Sequence, residues 1–199
     1  GRIDEIYKRI EMLSELDDGN LRLAAFSSFI SEREKNNTAH KFCQNPMSFI
    51  HFAKISSHFE ASNQFVKEVI DELYNVKTIW EPYHQATRKG FQTAPCINLF
   101  VSQSEKIAQL KSIIFDELDA YYLKFRNEPC SYIQKWPSRK TIHGWHVILK
   151  QQGYQSPHIH PDGWLSGVIY LKVVPSLGND EGAIKFSLNG TNYSDLNSP

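Results

Sequence analysis

The chain has 199 residues, 41% hydrophobic and 22% charged, with 22 Lys+Arg against 22 Asp+Glu. That size and mixture imply one or two globular domains with a sizeable core and exclude a disordered tail. Zero net charge supplies no global field for nucleic acid or an anionic membrane, and no apolar run approaches the roughly 20 residues that span a bilayer.

The first third reads as helix. Ile3, Ile6, Tyr7, Ile10 and Leu13 recur at three-and-four spacing until "LDDGN" stops the run. Leu21, Ala24, Ala25, Ser28 and Phe29 give a second amphipathic pattern, ended by the polar "SEREKNN". A third helix is predicted to start at Asn45-Pro46, a capping residue followed by proline at the first helical position, and to carry Phe49, Ile50, Phe52, Ala53 and Ile55. A fourth uses Phe65, Val66, Val69, Ile70 and Leu73. These apolar positions are expected to be core.

The character changes at "WEPYHQATRKGFQT", where Pro82, Gly90 and Pro95 interrupt helix and residues Phe91 to Phe100 read as extended. A long helix is predicted over Ser104 to Phe125, with Ser104 as its cap and Ile107, Leu110, Ile113, Ile114, Leu118, Tyr121 and Tyr122 on one face. Strands are then predicted at Trp145–Leu149, Trp164–Val174 and Ala183–Leu188, from their β-branched and aromatic content. The fold class is α+β. The expected division is a helical region over residues 1–76 and a sheet-rich region over 77–199 that includes the helix 104–125.

The three cysteines, Cys43, Cys96 and Cys130, are odd in number and scattered, which suits reduced thiols. No signal-peptide pattern opens the sequence, so a cytoplasmic location is expected and the sequons at Asn36, Asn189 and Asn192 read as chance. The first residue is Gly1, which suggests a piece of a longer protein.

The chemistry concentrates in "SPHIHPDGWLSGVIYL", from Ser156 to Leu171. Pro157 and Pro161 disfavour helix at the residues before them. In an extended segment, side chains at i, i+2 and i+4 share a side, so His158, His160 and Asp162 would face one way. Two imidazoles and a carboxylate are a ligand set for zinc, or for the two-His-one-carboxylate face of non-haem iron. The alternative is a pair of surface histidines in a polar turn. A proline-bracketed segment that feeds an apolar run favours a pocket rim.

The stretch "GYQSPHIHPDGWLSGVIYLKVVP", with "EGAIKFSL" after it, resembles the first half of the double-stranded β-helix (jelly-roll) core of iron(II)/2-oxoglutarate-dependent dioxygenases. It is similar in particular to a branch whose metal motif reads His-x-His-Pro before "GWLSGVYYL" and often follows helical repeats. The resemblance covers roughly Trp80 to Tyr193. It implies iron(II) as the metal, with 2-oxoglutarate and dioxygen as cosubstrates. The implied reaction couples decarboxylation of 2-oxoglutarate to succinate with hydroxylation of a substrate C–H bond. It makes His158 the first ligand and His160 the second, where most of the superfamily has a carboxylate. Shifting the frame by two gives His160 and Asp162, so Asp162 is the alternative ligand.

The family pattern also needs a distal histidine and a basic residue for the far carboxylate of 2-oxoglutarate. No histidine follows His160, and Lys185 is the only basic residue after Lys172. The expectation is that the jelly-roll core is incomplete in this chain. His143 and His146 precede the motif and are weaker candidates for the third ligand. Two other readings compete: a cupin-like metal protein, which lacks its expected glutamate between Pro161 and Gly167, and a non-catalytic interaction module built on the helices.

Overall fold

Spacing that repeats every three to four residues becomes helix where the sequence supplies a start and a stop. In the computed structural model, which describes residues 1–37 and 40–188, α1 spans Arg2–Leu16 and α2 spans Leu21–Glu34. The Asn20 side chain caps α2 by accepting from the Leu23 amide, and Lys35 closes it in a left-handed conformation. The sequons at Asn189 and Asn192 lie outside the described residues.

The described chain forms two compact units. One contains Gly1–Ile50, Phe125–Trp136 and the chain from Pro157 onward; the other contains His51–Lys124 and Pro137–Ser156.

In the first unit, α1 and α2 pack together, and α5 (Ser131–Gln134) is a single turn. The predicted third helix is instead a 3-10 turn at Pro46–Phe49. The Asn-Pro start signal is present, but the following "FIHFAKI" has no continuing stripe to bury, and Phe52 ends up 78% exposed. Phe42, Tyr132 and Trp164 make an aromatic cluster with centroids 5.2–6.1 Å apart, beside the Phe49–Phe125 pair at 5.0 Å.

The second unit holds α3 (Ser62–Leu73), α4 (Glu105–Phe125, its last residue belonging to the first unit) and the sheet. Ser104 caps α4, its hydroxyl accepting from the Ile107 amide, as the sequence predicts. Val69 and Leu73 of α3 and Ile107, Leu110 and Ile113 of α4 are buried, and Lys106 bridges α4 to Glu68 of α3 at 2.6 Å.

The sheet is antiparallel, in the order β1 (Thr78–Trp80), β2 (Thr87–Thr93), β3 (Val147–Gln155). The β2–β3 register shifts between Arg88 and Gly90, around the positive φ of Lys89. A Cβ at Gly90 would lie 2.9 Å from the Ile148 carbonyl oxygen, so the strands approach closely there.

The architecture is therefore α+β, but two predicted strands are corrected. Neither Trp164–Val174 nor Ala183–Leu188 forms a strand, and no jelly-roll sheet is formed among the described residues. Strand composition records a fit to a pleated surface, whereas a strand exists only when a neighbour takes up its amides and carbonyls. Among the described residues no helix is long and apolar enough to cross a membrane.

Candidate functional site

The segment from Ser156 to Trp164 is fixed at both ends. The Ser156 amide donates to the Ala86 carbonyl at 2.9 Å, ending the sheet's pairing. Trp164 is seated by its ring against Phe42 at 5.2 Å, while its indole N–H donates to the Tyr132 carbonyl at 3.3 Å. Between these points Pro157 and Pro161 keep the backbone out of helix.

His158 and His160 come together. Their ring centroids are 4.7 Å apart at 82°, and their Nε2 atoms lie 3.1 Å from one another, one donating and the other accepting. Both residues are exposed. Although the residue is exposed to solvent along one side, partial desolvation of its ring by the surrounding chain and the nearby His158 hold His160 below the usual histidine range, so neutral imidazole, the form that ligates a metal, is favoured.

A 3.1 Å span suits two nitrogens that each sit about 2.0–2.1 Å from one ion at roughly a right angle. With both Nε2 atoms free of protons, the two rings would supply two of the imidazole donors that a non-haem iron takes.

Asp162 is not part of this arrangement. The Gly163 amide donates to the His160 carbonyl at 3.2 Å, so the chain turns over Pro161 and Asp162 and the extended alternation ends at His160. The Asp162 side chain is 92% exposed and lies 3.7 Å from Arg22. Among the described residues no group of three or more His, Cys, Asp or Glu is arranged to hold a metal.

His143 and His146 belong to the other unit. His143 is exposed, its ring 5.9 Å from Trp145. His146 shares a 2.8 Å hydrogen bond between Nδ1 and the Thr93 hydroxyl, and its amide donates to the same hydroxyl. Its Nε2 is buried with no partner, and burial lowers its pKa.

The structure adds a cluster that sequence reasoning missed. His51 and His58 hold opposite oxygens of Glu117 on α4, at 3.2 and 2.7 Å, and keep its carboxyl below the usual range despite partial burial. No short motif links these three positions. The one sequence signal for it is helical spacing, which sets Glu117 four residues after Ile113 and three after Ile114, against the apolar stripe of α4.

Comparison with known proteins bears on the motif. Residues 143–195, just over a quarter of the chain, match the family model described as "Putative 2OG-Fe(II) oxygenase". The match supports the 2OG-Fe(II) oxygenase superfamily, and at that level it implies an oxidoreductase that uses iron(II), 2-oxoglutarate and dioxygen. No curated protein and no solved structure matched the chain.

Proposed function

We propose that the chain carries the iron-binding motif of a 2-oxoglutarate-dependent oxygenase that hydroxylates its substrate, with His158 and His160 as two of the iron ligands. The observation that supports this most is the 3.1 Å approach of their Nε2 atoms within the matched segment. When bound, iron(II) with 2-oxoglutarate supplies the oxidising power for C–H hydroxylation, and the protein's task is to place the reactants and exclude water.

The chain's own contribution is positional. The prolines restrict the backbone so that two imidazoles share a side. Trp164 anchors the segment four residues beyond His160, which limits how far the pair can drift. The depressed basicity of His160 keeps a lone pair available near neutral pH. Asp162 becomes a ligand only if the turn at Gly163 opens and the Arg22 contact is given up.

Isothermal titration with manganese(II), a redox-inert stand-in for iron(II), tests the assignment. His158→Ala and His160→Ala are each expected to weaken binding at least about tenfold, the scale at which even supporting residues of metal sites act. Asp162→Ala should leave it within about twofold. A large loss with Asp162→Ala and none with His158→Ala would transfer the site to the His160–Asp162 frame.

A further inference from the structure

Cys43 and Cys130 are far apart in sequence, yet the fold places them together. The Tyr132 amide donates to the Phe42 carbonyl at 2.9 Å, so the stretch entering Cys43 runs beside the stretch leaving Cys130. The Phe42 and Tyr132 rings, with centroids 5.6 Å apart, hold the two backbones in that relation. Cys130 stands at the residue before α5, both cysteines are half-buried, and Cys130 is near enough to Cys43 to act on its thiol electrostatically. Two half-buried thiols on adjoining stretches held by a backbone hydrogen bond and an aromatic pair are placed to meet disulfide geometry.

We propose that Cys43 and Cys130 are a redox-responsive pair that closes to a reversible disulfide under peroxide, clamping the loop after α2 to the start of α5. The chemistry balances without a metal. A deprotonated thiol attacks one peroxide oxygen, the O–O bond breaks, and the released hydroxide takes a proton to leave as water, giving a sulfenic acid. The second sulfur then forms the S–S bond and displaces the sulfenic hydroxyl as a second water. Two thiols lose two hydrogens, and one hydrogen peroxide becomes two waters.

Burial and the neighbouring Cys130 push the Cys43 thiol up to about 12, so it stays protonated near neutral pH. A thiol held protonated reacts slowly, so closure of the pair is slow rather than instantaneous. The consequence reaches the motif-bearing segment. Trp164 stacks on Tyr132 and donates to its carbonyl, so stiffening the Phe42–Tyr132 junction stiffens the seat of Trp164.

The test uses the whole chain. It is treated with hydrogen peroxide, its remaining thiols are alkylated, and the digest is mapped by mass spectrometry. A Cys43–Cys130 linked peptide is expected, with exposed Cys96 left alkylated or singly oxidised. The oxidised protein should melt about 5–15 °C above the reduced one, as a cross-link closing a long loop does in a chain of this size. Dithiothreitol should reverse the gain, and Cys43→Ala and Cys130→Ser should each abolish it. Recovery of both Cys43 and Cys130 as alkylated peptides while Cys96 is oxidised, or a link that forms only in denaturant, would overturn the proposal. Because the mapping is done on the native sequence, a variant that fails to fold does not weaken it.

Discussion

Strand β2 and the run that follows the histidine pair distribute polarity in opposite ways. β2 buries Thr87 at 0%, Gln92 at 5% and Thr93 at 1% exposure. Between Leu165 and Phe186, by contrast, Val168, Tyr170, Val173, Val174 and Leu177 stand open to solvent. Hydropathy alone would have assigned the reverse. β2 has neighbours on both edges, and its polar side chains satisfy one another. The Gln155 amide donates to the Thr87 hydroxyl at 2.7 Å, that hydroxyl donates to Gln92 Oε1 at 2.6 Å, and Gln92 Nε2 donates to Gln85 at 3.2 Å. A buried polar group with partners is tolerated, whereas an apolar run without a covering layer stays wet. Burial here follows the supply of partners.

The largest expected effect comes from breaking the polar ladder. Gln92→Leu keeps the volume but leaves the Thr87 hydroxyl without its acceptor in a buried site, and it removes the donor to Gln85. A loss of about 2–3 kcal/mol in urea denaturation is expected. Thr87→Val with Gln92→Leu should cost clearly less than the two singles added, because neither member of the Thr87–Gln92 hydrogen bond is then left without the other. Additive losses would mean that the ladder is a set of separate contacts.

The same dependence on partners explains what was legible in the sequence. Helix α4 needed only its own periodicity and Ser104, and the alternation of His158 and His160 needed only local backbone rules. The turn closed by Gly163 depends on one backbone bond that no side-chain pattern announces, so Asp162 was grouped with the histidines. The run Trp164–Val174 has strand composition, but composition cannot say whether a neighbour exists. The meetings of Cys43 with Cys130, and of His51 and His58 with Glu117, join positions far apart in sequence and become visible only in the fold.

A second, intermediate effect should appear with pH. Burial lowers the pKa of His40, although Asp18 and Asp17 oppose it, and burial alone lowers that of His146 beside Thr93. The unfolded chain binds these protons near the ordinary value of 6.5, and the folded chain binds them only at lower pH. Unfolding then takes up protons, so this stabilisation is complete above 6.5 and is lost as pH falls through the folded values. The unfolding free energy from urea titrations, and the midpoint with it, should drop between pH 7.5 and 5.0, the free energy by at most about 1.4 kcal/mol per pH unit for each histidine. Glu117 is depressed too, but from 4.5, so its own contribution fades only below that window. His146→Gln should flatten part of the slope. A midpoint unchanged over this range would mean that both rings take up protons freely, and that the sheet does not shield His146 as it shields Thr93.

The smallest effect is expected where apolar side chains are already in water. Val168 is 56% exposed and Leu177 is 84% exposed, so Val168→Ser and Leu177→Ser remove little buried area. Each should change stability by no more than about 0.5 kcal/mol, against the several-fold larger cost of Gln92→Leu. Their signature should lie in surface behaviour instead: the double variant should bind less of a dye that reports exposed apolar surface and should aggregate less on heating. A loss above about 1 kcal/mol from Val168→Ser would break the comparison, because it would require a layer over this run in solution. The residues that supply that layer would then be the ones to seek, since Trp164, at the head of the same run, ties it to the segment carrying His158 and His160.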